Sequence, residues 1–121
     1  MKQLYKDWLV ASDIDGTLNS KLRTLPKINK KTIDRFMAGG GNFTLASGRP
    51  IRSLARAYRR VSPNCPAIIL NGSGIYDFNK HELIWKSTVS AEGREFVKQM
   101  RKKYSHGLDR LEGGIFGLDK A

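Results

Sequence analysis

Three short apolar runs, each cut off by a polar, glycine-bearing turn, constrain this chain more than any other feature. Trp8 to Ser12 runs into Asp13-Ile14-Asp15-Gly16, Asn42 to Ala46 into Ser47-Gly48-Arg49, and Ala67 to Leu70 into Asn71-Gly72-Ser73. Brief runs bounded by turn residues, without strict alternation of apolar and polar positions, read as buried strands. Between them lies helical spacing. Ile33, Phe36 and Met37 share one face of a helix expected after Asn29 and ended by Gly39-Gly40-Gly41. Ile51, Leu54, Ala55 and Tyr58 fit the i, i+3, i+4, i+7 pattern of a second helix, and Pro63 and Pro66 punctuate the stretch between it and the third run. Residues 16–28, with Gly16, Asn19, Ser20 and Pro26, read as an extended loop or small flap. Strand, helix, strand, helix, strand predicts an α/β fold with a parallel sheet joined by right-handed crossovers and covered on both faces. In such sheets ligands sit outside the carboxyl ends of the strands, where all three polar turns fall.

The remaining numbers bound the class. A chain of 121 residues is long enough for one domain and a modest core. The single cysteine, Cys65, excludes an internal disulfide and fits a reducing compartment. The N-terminal "MKQLYKDW" has no apolar signal core, and no apolar run approaches membrane-spanning length, so a cytoplasmic location is expected. The balance of 22 Lys+Arg against 11 Asp+Glu would attract phosphate-rich partners. The cations are scattered, at Lys27, Lys30 and Lys31, from Arg49 to Arg60, and from Lys98 to Lys103. No helix-turn-helix, zinc-finger or RNP pattern accompanies them, so nucleic acid is not the expected partner.

Asp13 and Asp15 stand one residue apart, and two ionised carboxylates that close repel each other. A cation and a phosphoryl group would make the pair tolerable. A strand-end carboxylate can attack phosphorus once Mg²⁺, which favours hard oxygen ligands, offsets its repulsion from an anionic substrate. The second carboxylate is then free for proton transfer. Gly16 permits a sharp turn whose exposed N–H groups can bind phosphate oxygens. A calcium loop does not fit, because Thr17 and Leu18 occupy the places of later ligands. The structural alternative for either aspartate alone is an Asx-turn.

"DIDGTL", followed by "TLASGRP" and "NGSGIYD", resembles the haloacid dehalogenase (HAD) superfamily, and within it the Cof-type phosphatases with a large class IIB cap. The resemblance runs from about Trp8 to Trp85. It implies a Rossmann-like, HAD-like three-layer core followed by the beginning of an α+β cap. It also implies Mg²⁺-dependent phosphomonoester hydrolysis through an aspartyl-phosphate, on a small phosphorylated metabolite such as a sugar phosphate. On matching positions Asp13 is the nucleophile and a metal ligand. Asp15 is the general acid/base and a metal ligand through its backbone carbonyl. Ser47 takes the place of the hydroxyl that binds the transferring phosphoryl group. Gly16, Thr17, Gly48, Arg49, Asn71 and Gly72 complete the expected phosphate-binding set.

Residues 1–78 are accordingly read as the N-terminal part of the core, and 79–121 as the start of an incomplete cap with a tail. A hairpin is expected to turn at Asn79-Lys80. Ser90 is expected to cap a helix carrying Phe96, Val97 and Met100 that ends by Gly107. Members of the family go on to a catalytic lysine and a glycine-aspartate motif with further metal ligands, and no such acidic motif occurs here. Gly117 to Lys120, "GLDK", faintly resembles the lysine segment, with a fortuitous match as the preferred reading. Asp109, Glu112 and Asp119 have no spacing that supports metal ligation. The chain is thus expected to be part of a longer phosphatase, impaired alone and self-associating through an incomplete sheet. The competing expectations are a non-catalytic module that holds Mg²⁺ or phosphate, and a basic nucleic-acid-binding protein.

Overall fold

The structure, a computed structural model, describes residues 3–21 and 24–104. Strand β1 (Leu9–Ser12) is followed by helix α1 (Lys27–Ala38), β2 (Asn42–Leu45), α2 (Ile51–Val61) and β3 (Ala67–Ile69). Then come β4 (Gly74–Asp77), β5 (Glu82–Lys86) and α3 (Ala91–Lys103). Gly107, Asp109, Glu112, Asp119 and Lys120 lie outside the described residues.

The fold is α/β, with the expected parallel arrangement at its centre. β1 and β2 pair in parallel, Val10 beside Phe43 and Ser12 beside Leu45. Past the end of β2, Ala46 forms a parallel bridge to Ile68 of β3, and the Ser47 N–H donates to the Ile68 carbonyl at 3.0 Å. β2 therefore lies between β1 and β3 at the end that carries the polar turns. β3, β4 and β5 continue as an antiparallel sheet, with β4 and β5 joined by a turn at residues 78–81. There the Asp77 carboxylate accepts from the N–H groups of Asn79 and Lys80, which holds the turn where the sequence places it.

The core gathers around β2. Phe43 and Leu45 pack with Ile33 of α1, Leu54, Tyr58 and Val61 of α2, and Ala67 and Ile69 of β3. The spacing of Leu54, Tyr58 and Val61 turns three buried side chains of α2 inward, leaving its arginines in water. The Tyr58 hydroxyl donates to the Cys65 carbonyl at 3.1 Å, and burial pushes this phenol's pKa up. Helix α1 begins at Lys27, earlier than its apolar face suggests, directly after the extended Pro26. α3 begins where Ser90 caps it, its hydroxyl accepting from the Gly93 N–H at 3.1 Å.

β1 departs from expectation. It reads as a buried strand, yet Leu9 is 61% exposed and Val10 38%. The reason is positional: among the described residues β1 pairs with β2 alone, so its far edge carries no strand. No described helix is long and apolar enough to cross a membrane.

Candidate active site

The first polar turn is shaped by two buried residues. Ile14 and Leu18 sink into the core below it, and the Asn19 N–H closes the turn onto the Ile14 carbonyl at 2.9 Å. With those two inside, Asp13, Asp15, Gly16 and Thr17 are left exposed at the carboxyl end of β1. Gly16 has φ +78°, a left-handed conformation that a side chain would strain. The Asn29 side chain donates to the Leu18 carbonyl at 2.9 Å, tying the loop to α1.

The second turn leaves β2 directly beside the first. The Ala46 N–H donates to the Ser12 carbonyl at 2.9 Å, so Asp13 and Ser47 emerge from neighbouring strands at nearly the same level. Ser47 is buried, and its hydroxyl accepts from the Arg49 N–H at 3.1 Å. That bond leaves the hydroxyl proton available for another acceptor.

The third turn reverses the chain from β3 into β4. Leu70, Asn71 and Gly72 all have positive φ, at 50°, 55° and 92°. The Asn71 N–H donates to the Ser47 carbonyl at 3.3 Å. A Cβ on Gly48 would stand 2.7 Å from the Asn71 amide oxygen, so glycine there lets the two turns touch. Gly48→Ala is expected to push the exposed Asn71 side chain aside at a cost within about 0.5 kcal/mol, the usual size of a surface substitution. Urea unfolding followed by circular dichroism checks it.

A bidentate ion pair joins the first turn to the second. The Arg49 Nε donates to the Asp15 Oδ2 at 2.7 Å, and the other arm of the guanidinium pairs with Oδ1. Fork-to-fork geometry of this kind fixes direction as well as proximity. The fold thus brings Asp15, Gly16, Ser47, Gly48, Arg49 and Asn71 into one connected end of the sheet. Asp13, Thr17 and Gly72 are exposed on the same turns.

Four further residues were not indicated by the sequence. Asn19, Ser20, Lys21 and Ser53 line a cleft of about 780 Å³ together with Asp15, Gly16 and Arg49. Polar residues in a flap and an exposed serine on a helix leave no local signal that they share a wall.

Whether the site suits Mg²⁺ turns on its donors. Among the described residues no three His, Cys, Asp or Glu side chains stand together. The Asp13 carboxylate and the Asp15 carbonyl offer hard oxygens, while the Asp15 carboxylate is engaged by Arg49. So small a protein contribution suits Mg²⁺, which shares its shell with water and substrate phosphate. The donors fit.

Known proteins resemble the chain in sequence and in fold. A family model of haloacid dehalogenase-like hydrolases matches residues 10–113. The chain is 31% identical over 71 residues to the 5-amino-6-(5-phospho-D-ribitylamino)uracil phosphatase YitU of Bacillus subtilis (strain 168), across 59% of this chain and 26% of that protein. It is 23% identical over 101 residues to the pyridoxal phosphate phosphatase YbhA of Escherichia coli (strain K12), across 83% and 37%. Among solved structures, a haloacid dehalogenase-like hydrolase from Bacteroides thetaiotaomicron superposes with a TM-score of 0.63 at 22% identity, covering 82% of this chain and 38% of that one. A HAD subclass IIB sugar phosphatase superposes with a TM-score of 0.61 at 28% identity, covering 78% and 36%. The chain therefore spans between about a quarter and two fifths of the length of these relatives. Its family match and its three linked strand ends make it a member of the haloacid dehalogenase-like hydrolases.

Proposed function

We propose that the chain carries the nucleophile and phosphate-binding elements of a Mg²⁺-dependent phosphomonoester hydrolase acting on a small phosphorylated metabolite. The observation that supports this most is the convergence of Asp13, Asp15 and Ser47 at the carboxyl ends of adjacent parallel strands. The phosphatase names of the relatives point the same way.

In this reading the Asp13 carboxylate attacks phosphorus in line, forming an aspartyl-phosphate as the bond to the leaving oxygen breaks. Once Arg49 has turned from it, Asp15 in its protonated form gives that oxygen its proton, then takes one from the water that attacks the aspartyl-phosphate, releasing inorganic phosphate and restoring Asp13. The Ser47 hydroxyl, already accepting from Arg49, directs its proton at a phosphoryl oxygen. Arg49 holds the Asp15 carboxylate in place and can turn to the phosphoryl oxygens as substrate enters. When bound, Mg²⁺ would be held by the Asp13 carboxylate and the Asp15 carbonyl, and would offset the charge between nucleophile and phosphate.

The test is hydrolysis of p-nitrophenyl phosphate with and without Mg²⁺, by this chain and by Asp13→Asn. Turnover is expected to be slow, because the lysine and glycine-aspartate motif of the family do not occur in this sequence, to need Mg²⁺, and to be lost in the variant, because binding alone replaces little of a lost nucleophile. Equal rates for the two proteins, or turnover indifferent to Mg²⁺, would sink the reading.

A further inference from the structure

Helices α1 and α2 each carry a stripe of cations. On α1, Lys27, Lys31 and Arg35 follow at i, i+4 and i+8, and all three are exposed. On α2, Arg52, Arg56 and Arg60 repeat that spacing and are exposed as well. At 3.6 residues per turn each stripe lies opposite the buried residues of its helix, Ile33 on α1 and Leu54, Tyr58 and Val61 on α2. The two helices share a layer. β2 lies between β1 and β3, and two right-handed crossovers made in the same direction across a sheet put their helices on one face. Residues of both helices join Phe43 and Leu45 in one core cluster. The six cations therefore form two rows about 10 Å apart, with steps of about 6 Å along each row.

Like charges at i, i+4 destabilise a helix, so the pattern works against both helices on their own. Little offsets it. The two helices hold eight cations and one carboxylate, Asp34, which pairs with Lys30 outside the stripe. Neither ion pair among the described residues includes any of the six. A partner with regularly spaced negative charges turns that repulsion into attraction. Neither helix exposes an aromatic side chain, so single-stranded bases find no stacking platform there. Rigid rows of phosphates suit the face better. We propose that the outer face of α1 and α2 docks, without regard to sequence, on the phosphate backbone of duplex nucleic acid. The surface uses none of the strand-end residues and stands apart from the phosphatase reading. The cations look scattered along the chain because their alignment exists only in the fold, and contact with phosphates alone requires no base-reading motif.

Fluorescence anisotropy of a short labelled DNA duplex with the 121-residue chain tests it. Wild-type affinity is expected to fall about a thousandfold between about 50 and 200 mM salt, as for six phosphate contacts. Arg52→Gln, Arg56→Gln and Arg60→Gln together should halve the slope of log affinity against log salt. Lysine at the same three positions should keep the slope and shows that α2 still folds. The control removes three exposed cations from α3, by Lys98→Gln, Lys102→Gln and Lys103→Gln, and should leave the slope unchanged. An equal loss in that control would mean diffuse attraction by a chain of net charge +11, and the face would be overturned. Absence of binding at the low-salt end overturns it too, as does binding to anionic phospholipid vesicles without binding to the duplex. Asp13→Asn should bind the duplex like wild type. Loss there would place the phosphates in the candidate active site and not on the helices.

Discussion

Leu45→Ala is expected to lower the unfolding free energy by about 3–5 kcal/mol, the upper part of the range for a leucine whose cavity cannot collapse. Leu45 is fully buried at the end of β2, the strand flanked by β1 and β3. It shares the core with residues of both α1 and α2. Domains of this size hold about 5–15 kcal/mol in total, so the variant would lose a large share of its stability. The site would feel it as well, because Ser47 lies two residues further on and takes its position from the same strand. Leu9→Ala is the control. Leu9 is an aliphatic strand residue like Leu45 but 61% exposed, so its truncation should cost no more than about 0.5 kcal/mol. Urea titration of both variants gives the comparison, and similar losses for the two would mean that β2 is not the centre of the core.

That contrast also marks what a sequence can carry. Both leucines sit in short apolar runs ended by a polar turn, and by pattern alone they are the same residue. Burial depends on what lies beside a strand in the sheet, and that information is not in the strand's own sequence. Features fixed by neighbours along the chain were legible: the hairpin turn held by Asp77, the Ser90 cap, and the inward face of α2. The start of α1 is the exception: Pro26 lies in a stretch with loop composition, yet the helix begins at the very next residue.

The same division runs through the candidate site. Asp13, Asp15, Ser47 and Asn71 could be named because strand ends in a parallel sheet share an edge. What links them could not. Asp15 and Arg49 are 34 residues apart, and neither has a local spacing that predicts a bidentate pair. The contact of Asn71 with the backbone of Gly48 likewise depends on three consecutive residues adopting positive φ, two of them not glycine. Asn19, Ser20, Lys21 and Ser53 were silent for a different reason. Polar residues of this kind are ordinary surface composition, and only the folded cleft gives them a common role.

The Asp15→Asn variant should separate two steps that hydrolysis normally runs together. If Asp15 carries the proton, an alkyl phosphate needs it at once, because an alkoxide is a poor leaving group unless protonated. Loss of a positioned proton donor usually slows such a step by about 10²–10⁴-fold. A p-nitrophenyl ester makes no such demand, since its phenolate leaves without a proton. Transfer to Asp13 should therefore survive in the variant with the aryl ester. The next step should not, because the attacking water still lacks its base. The expected result is a burst of one p-nitrophenolate per active chain followed by very slow release of phosphate. An alkyl phosphate should give no burst at all. The asparagine keeps the shape of the Asp15 side chain and can still accept from Arg49, so the turn is not expected to collapse. Rapid quench separates the burst from the steady state, and acid-stable phosphate counting confirms what is released. Equal slowing of both esters with no burst would mean that Asp15 serves only to anchor Arg49, and the proton would have to be carried by another group.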